Sequence, residues 1–284
     1  MIVTRFAPSP TGFLHIGHAY AALTAWQAAR DRGGKFLLRI EDIDLARCRT
    51  EFEPAIVEDL SWLGMSWETP ARRQSQHFGD YSAAIKRLEL KGVVYPCFCT
   101  RQEIAAEIAR AAAAPHADEL VGVRYPGTCR SLSATDRAGR IARGTAYALR
   151  LDCEKALASV SGEELGFDEL GSGPEGQTGH QRAHPEWIGD IILARKELPA
   201  SYHVAVVVDD ALQGVTLATR GQDLFAATHI QRLLQALLGL PAPRYLHHRL
   251  ILNHDGKKFS KRDGAATIRS LRNSGASPED IRRM

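Results

Sequence analysis

No apolar run of transmembrane length interrupts this 284-residue chain, and no basic-then-apolar segment opens it. On those absences neither a membrane-spanning helix nor a secretory leader is expected, and the expectation is a cytoplasmic protein. Cysteine is scarce and odd in number: Cys48, Cys97, Cys99, Cys129 and Cys153. Five thiols without a leader argue against a disulfide framework. Charge of neither sign dominates, with 36 Lys and Arg against 33 Asp and Glu for a net +3. That balance permits a nucleic-acid partner without demanding one, and no dense basic patch stands out along the chain. Internal repeats and low-complexity tracts are also missing. What remains, 44% hydrophobic and 24% charged, suits one large globular domain or a domain with an insertion.

The most informative stretch lies near the N-terminus, from Phe6 to His18. Ile2 to Phe6 reads as a strand, Pro8, Pro10 and Gly12 stiffen a turn, and a helix opens near His15 and runs to Arg30. A strand entering a helix through such a turn presents free N–H groups and the positive dipole end to an anion. His15 and His18 share one face of the first helical turn. After the Gly33-Gly34 stop, Lys35 to Ile40 reads as a second strand. Strand, helix and strand in this order predict parallel neighbours, with ligands gathering at their carboxyl ends, where Arg5, Ser9 and Glu41 emerge.

Further along, helices are expected over Glu53–Leu63, Gly79–Lys91, Arg101–Ala114 and Leu224–Leu238, the last closed by Gly239. Strands are expected over Ala146–Leu151, Gly189–Arg195, Val215–Gly221 and Leu250–Asn253, whereas Glu163–Trp187 reads as an irregular surface segment. Ser201–Asp210 holds a continuous valine run that fits a buried strand or a buried helix equally well. Ser277-Pro278-Glu279-Asp280 is a helix start. Cys97 and Cys99 on a tight turn, with Cys129 returning later, form a thiol set of the kind that holds zinc. Tyr125 and His116 are both available as a fourth ligand. His254 to Arg262 clusters four cations after an Asp-Gly turn.

Two of these pieces carry a family resemblance. His15-Ile16-Gly17-His18 resembles the HIGH motif of class I aminoacyl-tRNA synthetases, and Lys258-Phe259-Ser260-Lys261-Arg262 resembles their KMSKS loop, with Phe259 in the apolar position. Arg5 to Gly12, Leu38 to Asp42, Val206 to Asp210 and Arg220-Gly221 are similar to the glutamyl-tRNA synthetase branch. The resemblance runs from Ile2 to about Arg262. With little chain after the second motif and a C-x-C…Tyr-x-x-x-Cys set, the sequence is most similar to the short members of that branch. Those enzymes glutamylate queuosine in the anticodon loop of tRNA(Asp).

The resemblance implies a Rossmann-like α/β catalytic domain with an inserted zinc-bearing α+β subdomain and no anticodon-binding domain. It implies units of 1–95, 96–184 and 185–284. It implies ATP-dependent, tRNA-independent activation of L-glutamate, with Mg²⁺ accompanying ATP, followed by transfer to queuosine-bearing tRNA(Asp) by a monomer. The catalytic positions are then His15, His18, Lys258 and Lys261, with Gly17 also at ATP. The glutamate positions are Arg5, Ala7, Ser9, Glu41, Tyr202 and Arg220. Cys97, Cys99, Tyr125 and Cys129 become the ligands of one structural zinc ion. The alternatives are an ordinary glutamyl-tRNA synthetase, or its catalytic fragment, charging the end of tRNA(Glu), and a non-catalytic tRNA-binding relative.

Overall fold

The computed structural model describes residues 1–112, 124–162, 164–252 and 266–283. Strand β1 (Val3–Phe6), helix α1 (Ile16–Arg30) and strand β2 (Lys35–Ile40) form the expected parallel unit, in register from Val3 opposite Lys35 to Phe6 opposite Leu38. The stripe Ala19, Ala22, Ala25 and Ala29 lets α1 lie close on these strands, and the Thr4 hydroxyl donates to the Ala25 carbonyl across 2.8 Å. Close approach also explains Gly34, because a Cβ there would run into the Ile2 carbonyl oxygen, which already accepts from Lys35 N–H. Gly34→Ala is expected to cost about 1–3 kcal/mol through this overpacking, read as a lower denaturation midpoint with an unchanged slope.

Helix α2 (Phe52–Trp62) leads to β3 (Glu68–Arg73), which extends the sheet in parallel on the far side of β2. After α3 (Phe78–Leu90), strands β4 (Val94–Cys97) and β5 (Ala148–Leu151) pair antiparallel, with α4 (Arg101–Ala112) and α5 (Ala134–Ala142) between them in sequence. Helix α6 (Cys153–Ser159) follows. The expected last residues of α4, Ala113 and Ala114, lie outside the described residues, as does His116.

The stretch read as irregular is in fact a hairpin, β6 (Gly166–Glu169) and β7 (Gly179–Arg182), with Phe167 and Glu169 buried. Its glycines and polar residues hid a strand whose inward positions include a carboxylate. Strand β8 (Ile192–Ala194) then pairs with β5. The valine run is a helix, α7 (Tyr202–Leu212), and Val204 to Asp210 are all buried. Burial on every face removes the amphipathic period that would have separated helix from strand, and packing overrides valine's modest helix propensity.

Strand β9 (Leu217–Gly221), helix α8 (Phe225–Leu238) and strand β10 (Arg244–His248) complete a second parallel unit, in which β10 lies between β9 and β6. The last strand was expected at Leu250–Asn253 but falls earlier. His247 and His248 break the apolar pattern there, while Leu250 and Ile251 continue as irregular chain. Helices α9 (Ile268–Asn273) and α10 (Pro278–Arg283) follow, and Ile268 and Ile281 join the core beneath α1.

The two parallel units meet at β1 and β9. Thr216 N–H donates to the Val3 carbonyl at 3.0 Å and Val3 N–H to the Thr216 hydroxyl at 2.9 Å. From this seam the chain winds outward to β2 and β3 on one side and to β10 and β6 on the other. Such a reversal opens a crevice at the carboxyl ends of the central strands. No helix among the described residues is long and apolar enough to cross a membrane.

Candidate functional site

A cavity of about 450 Å³ lies in this crevice. Arg5, Ala7, Ser9, Glu41, Tyr202 and Arg220, dispersed over five elements and loops, all line it. His15, Gly17 and His18 form its helix side. Lys258 and Lys261 lie outside the described residues. The chain on either side of them is held at the cavity: Ile251 is in its wall, and Thr267 bridges to His15, reinforced by Ile268 N–H donating to the Leu14 carbonyl at 2.8 Å.

The start of α1 is capped by imidazole rather than by a hydroxyl or carboxylate. Gly17 N–H donates to His15 Nδ1 at 3.1 Å, and His15 N–H donates to His18 Nδ1 at 3.2 Å. Because Nδ1 accepts in both rings, each neutral imidazole carries its proton at Nε2. The two rings lie 3.8 Å apart, centroid to centroid.

Behind the strand side stands a buried ion network that sequence reasoning missed. Arg5 donates through Nε and Nη2 to Asp210 at 3.0 and 3.3 Å, and through Nη1 to the Thr219 carbonyl. Arg39, fully buried, donates at 2.8 Å to Asp210 Oδ1, the oxygen that also accepts from Arg5 Nε, and to Glu41 at 3.2 Å. Burial alone would raise the Asp210 carboxyl, but Arg5 and Arg39 outweigh it and hold the group below the usual aspartate range. Burial raises Glu41 instead, against the pull of Arg39 and Arg5. Asp209, its neighbour on α7, accepts from Arg72, Gln74 and Tyr81.

Arg220 is held by a second network. Its Nε donates to His247 Nε2 at 3.0 Å, Nη1 to Gln231 Oε1 at 2.7 Å and Nη2 to the Thr228 hydroxyl. His247 Nδ1 in turn meets Glu169, which also accepts His247 N–H at 2.9 Å. A ring that accepts at Nε2 must carry its proton at Nδ1, so the carboxylate of Glu169 sets the tautomer that receives Arg220. Of the five N–H groups on each guanidinium, Arg5 and Arg220 use three internally, which leaves one on each terminal nitrogen of two arginines that line the cavity. Arg5, which shares its counter-charge with Arg39, Arg220, whose partners are all neutral, and a raised carboxyl, beside a helix start with donors, make a site for a small zwitterion next to an anion.

The thiols converge as expected. Cys97, Cys99 and Cys129 place their sulfurs within 4.8 Å of one another. Tyr125 Oη stands 3.4 Å from Cys97 Sγ and 3.3 Å from Cys99 Sγ. Tetrahedral ligands at about 2.3 Å from zinc sit about 3.8 Å apart, so the cluster could bind one metal ion. Burial pushes the Cys99 thiol up to about 12.

Comparison with known proteins decides the family. The model of the family "tRNA synthetases class I (E and Q), catalytic domain" matches residues 1–284. The chain belongs to this family. Among curated relatives of this class I synthetase, Glutamyl-Q tRNA(Asp) synthetase of Rhodobacter capsulatus is 47% identical over 100% of the chain and 99% of the relative. The protein of the same name from Symbiobacterium thermophilum is 41% identical over 99% of the chain and 84% of its own length. Glutamate–tRNA ligase of Aquifex aeolicus is 37% identical over 99% of the chain, but the chain covers only 55% of that relative. A crystal structure of glutamate tRNA ligase from Elizabethkingia meningosepticum in complex with its amino acid matches with a TM-score of 0.76 at 27% identity. The synthetase chain described here aligns over 98% of its length and spans 59% of that structure.

Proposed function

We propose that this protein activates L-glutamate with ATP and transfers the glutamyl group to queuosine in the anticodon loop of tRNA(Asp). The observation that carries the acceptor is the end-to-end similarity to a relative of that name over 99% of its length. The cavity supports the donor half. Arg5 and Arg220 offer their remaining N–H pairs to the two carboxylates, Glu41 receives the ammonium, and the Tyr202 hydroxyl completes the polar wall. An arginine facing a neutral amide leaves charge poorly paired, which favours glutamate over glutamine.

In the first step a glutamate α-carboxylate oxygen attacks the α-phosphorus of ATP. A new O–P bond forms, the α–β bridging bond breaks, and pyrophosphate leaves with its electron pair. Catalysis of such a step is positioning plus stabilisation of charge on phosphate oxygens. The Nε2–H groups of His15 and His18, whose Nδ1 atoms cap the start of α1, are the donors of this chain on the described side. Lys258 and Lys261 are assigned to the same charge from the signature loop by resemblance. Mg²⁺ supplied with ATP offsets the negative charge of the polyphosphate. In the second step an acceptor hydroxyl attacks the glutamyl carbonyl carbon, an ester forms, AMP departs with the acyl–phosphate electron pair, and the hydroxyl proton is lost to the leaving phosphate.

Segment 96–184 is taken as the inserted unit, with zinc held by Cys97, Cys99 and Cys129 and the Tyr125 oxygen as the fourth ligand. Zinc there supplies structure and takes no part in the reaction. The purified protein is expected to carry about one zinc per chain. Cys99→Ser should bring that content well below one by elemental analysis and lower the thermal midpoint.

The function is tested with glutamate-dependent exchange of pyrophosphate into ATP without tRNA, then with labelled glutamate and three acceptors. Transfer to tRNA(Asp) that carries queuosine, and to neither queuosine-free tRNA(Asp) nor tRNA(Glu), is the expected result. Label on tRNA(Glu) alone would overturn it.

A further inference from the structure

Tyr202 separates the glutamate cavity from a second one of about 770 Å³ and lines both. Four arginines distant in sequence edge the second cavity: Arg47 after β2, Arg101 at the start of α4, Arg150 on β5 and Arg195 after β8. Arg150 is buried, donates through Nη1 to the Asp190 carbonyl at 2.7 Å and lies 3.9 Å over the Tyr125 ring. The other three guanidiniums have no hydrogen bond or ion pair among the described residues. Neither acid in the wall forms an ion pair with them, and Asp190 lies instead 3.6 Å from Arg130. Asp190 accepts from Tyr95 and from Cys153 N–H, and Asp44 accepts Arg47 N–H at 3.3 Å.

The floor is polar as well. Ser201 Oγ and His203 Nδ1 are buried without a hydrogen-bond partner among the described residues, as is Nε of Arg150. Each such group is destabilising while it stays unpaired, and a ligand that bonds to it removes that cost. Burial and the nearby Arg220 push His203 down to about 4, so its ring is neutral at physiological pH and holds an acceptor nitrogen. A rim of unpaired guanidiniums over a floor of hydroxyl and imidazole matches one ligand chemistry, a nucleotide whose phosphates stay outside while a hydroxyl-bearing base goes in. The volume is within the range of about 300–1,000 Å³ usual for such ligands.

We propose that this second cavity seats the acceptor nucleotide. The modified base is turned out of the RNA loop, its flanking phosphates lie on Arg47, Arg101 and Arg195, and its hydroxyls reach Ser201 and His203. The inference rests on the reading that the acceptor is a hydroxylated tRNA base. Enzymes that act on a base within structured nucleic acid extrude it in this way. Tyr202 then stands between donor and acceptor, so the glutamyl carbonyl and the attacking hydroxyl approach from its two sides.

The test uses Arg47→Gln, Arg195→Gln and the double variant in the full chain, with both half-reactions measured. Glutamate-dependent pyrophosphate exchange reports folding and the first cavity, and is expected to stay within about twofold of wild type. The KM for queuosine-bearing tRNA(Asp) is expected to rise tenfold or more in the double variant. The slope of log affinity against log salt should fall by about one for each phosphate contact removed. A double variant with intact exchange and an unchanged KM and salt slope would overturn the proposal. If the wild-type enzyme instead charges tRNA(Glu), the acceptor reading fails by itself. The same variants measured on that tRNA then decide the cavity: an unchanged KM overturns it, and a raised one keeps it as the seat of the RNA.

Discussion

Arg220→Lys is expected to lower kcat/KM for glutamate in pyrophosphate exchange by about a hundredfold, roughly 3 kcal/mol of transition-state stabilisation. The change keeps the positive charge and loses the fork. Arg220 fits its place because a planar guanidinium satisfies His247, Gln231 and Thr228 at once and still presents two N–H groups to the cavity. An ammonium has three donors around one atom and cannot span these partners. It would leave His247 and Gln231 buried and unpaired, and it would offer the substrate a point charge. A graded control comes from Glu169→Gln, which leaves Arg220 intact but weakens the hold on the His247 tautomer. Its expected signature is a rise of about tenfold in the KM for glutamate with little change in kcat, because Glu169 acts through His247 and does not touch the substrate.

The second large effect is on stability. Asp210→Asn should destabilise the fold by about 3–5 kcal/mol, because it removes the common counter-charge of two buried arginines. Arg5 and Arg39 both bond to Asp210, and Glu41, itself raised by burial, is a weak substitute. Chemical denaturation of the variant should give a midpoint well below that of wild type. The same pair predicts the acid limb. The Asp210 carboxyl is lowered in the folded state, so its contribution is fully present above the ordinary aspartate value of about 3.9 and is lost as pH falls through the folded value. Wild type should therefore lose stability more steeply than Asp210→Asn on acidification below about pH 4, with the two curves converging.

The donor half of the site was legible because its residues sit in short, locally ordered pieces. The β1–α1–β2 order, the turn between Phe6 and His15, and Arg220 at the end of a strand are all readable within a few residues of chain. What escaped was polar and distant. Glu169 and His247 are 78 positions apart, and each lies on a strand whose buried polar side chains spoil the alternating pattern. Asp209 and Asp210 end a valine run whose burial on all sides concealed its helical period. The four arginines of the second cavity are isolated in sequence, so a reading of charge runs found no basic patch, yet the fold gathers them around one opening. Lys258 and Lys261 are the reverse case, conspicuous in sequence but outside the described residues.

Two consecutive aspartates on α7 reach three different strands: Asp210 holds Arg5 of β1 and Arg39 of β2, and Asp209 holds Arg72 of β3. These bonds cross the sheet rather than running along it. A fluctuation that frees β1 or β2 breaks a contact to the shared Asp210, and one that frees β3 breaks the hold on Asp209, which Arg39 of β2 also approaches at 3.9 Å. In native-state hydrogen exchange the amides of β1, β2 and β3 are thus expected to open as a single cooperative unit, with one common free energy, instead of fraying inward from the β3 edge.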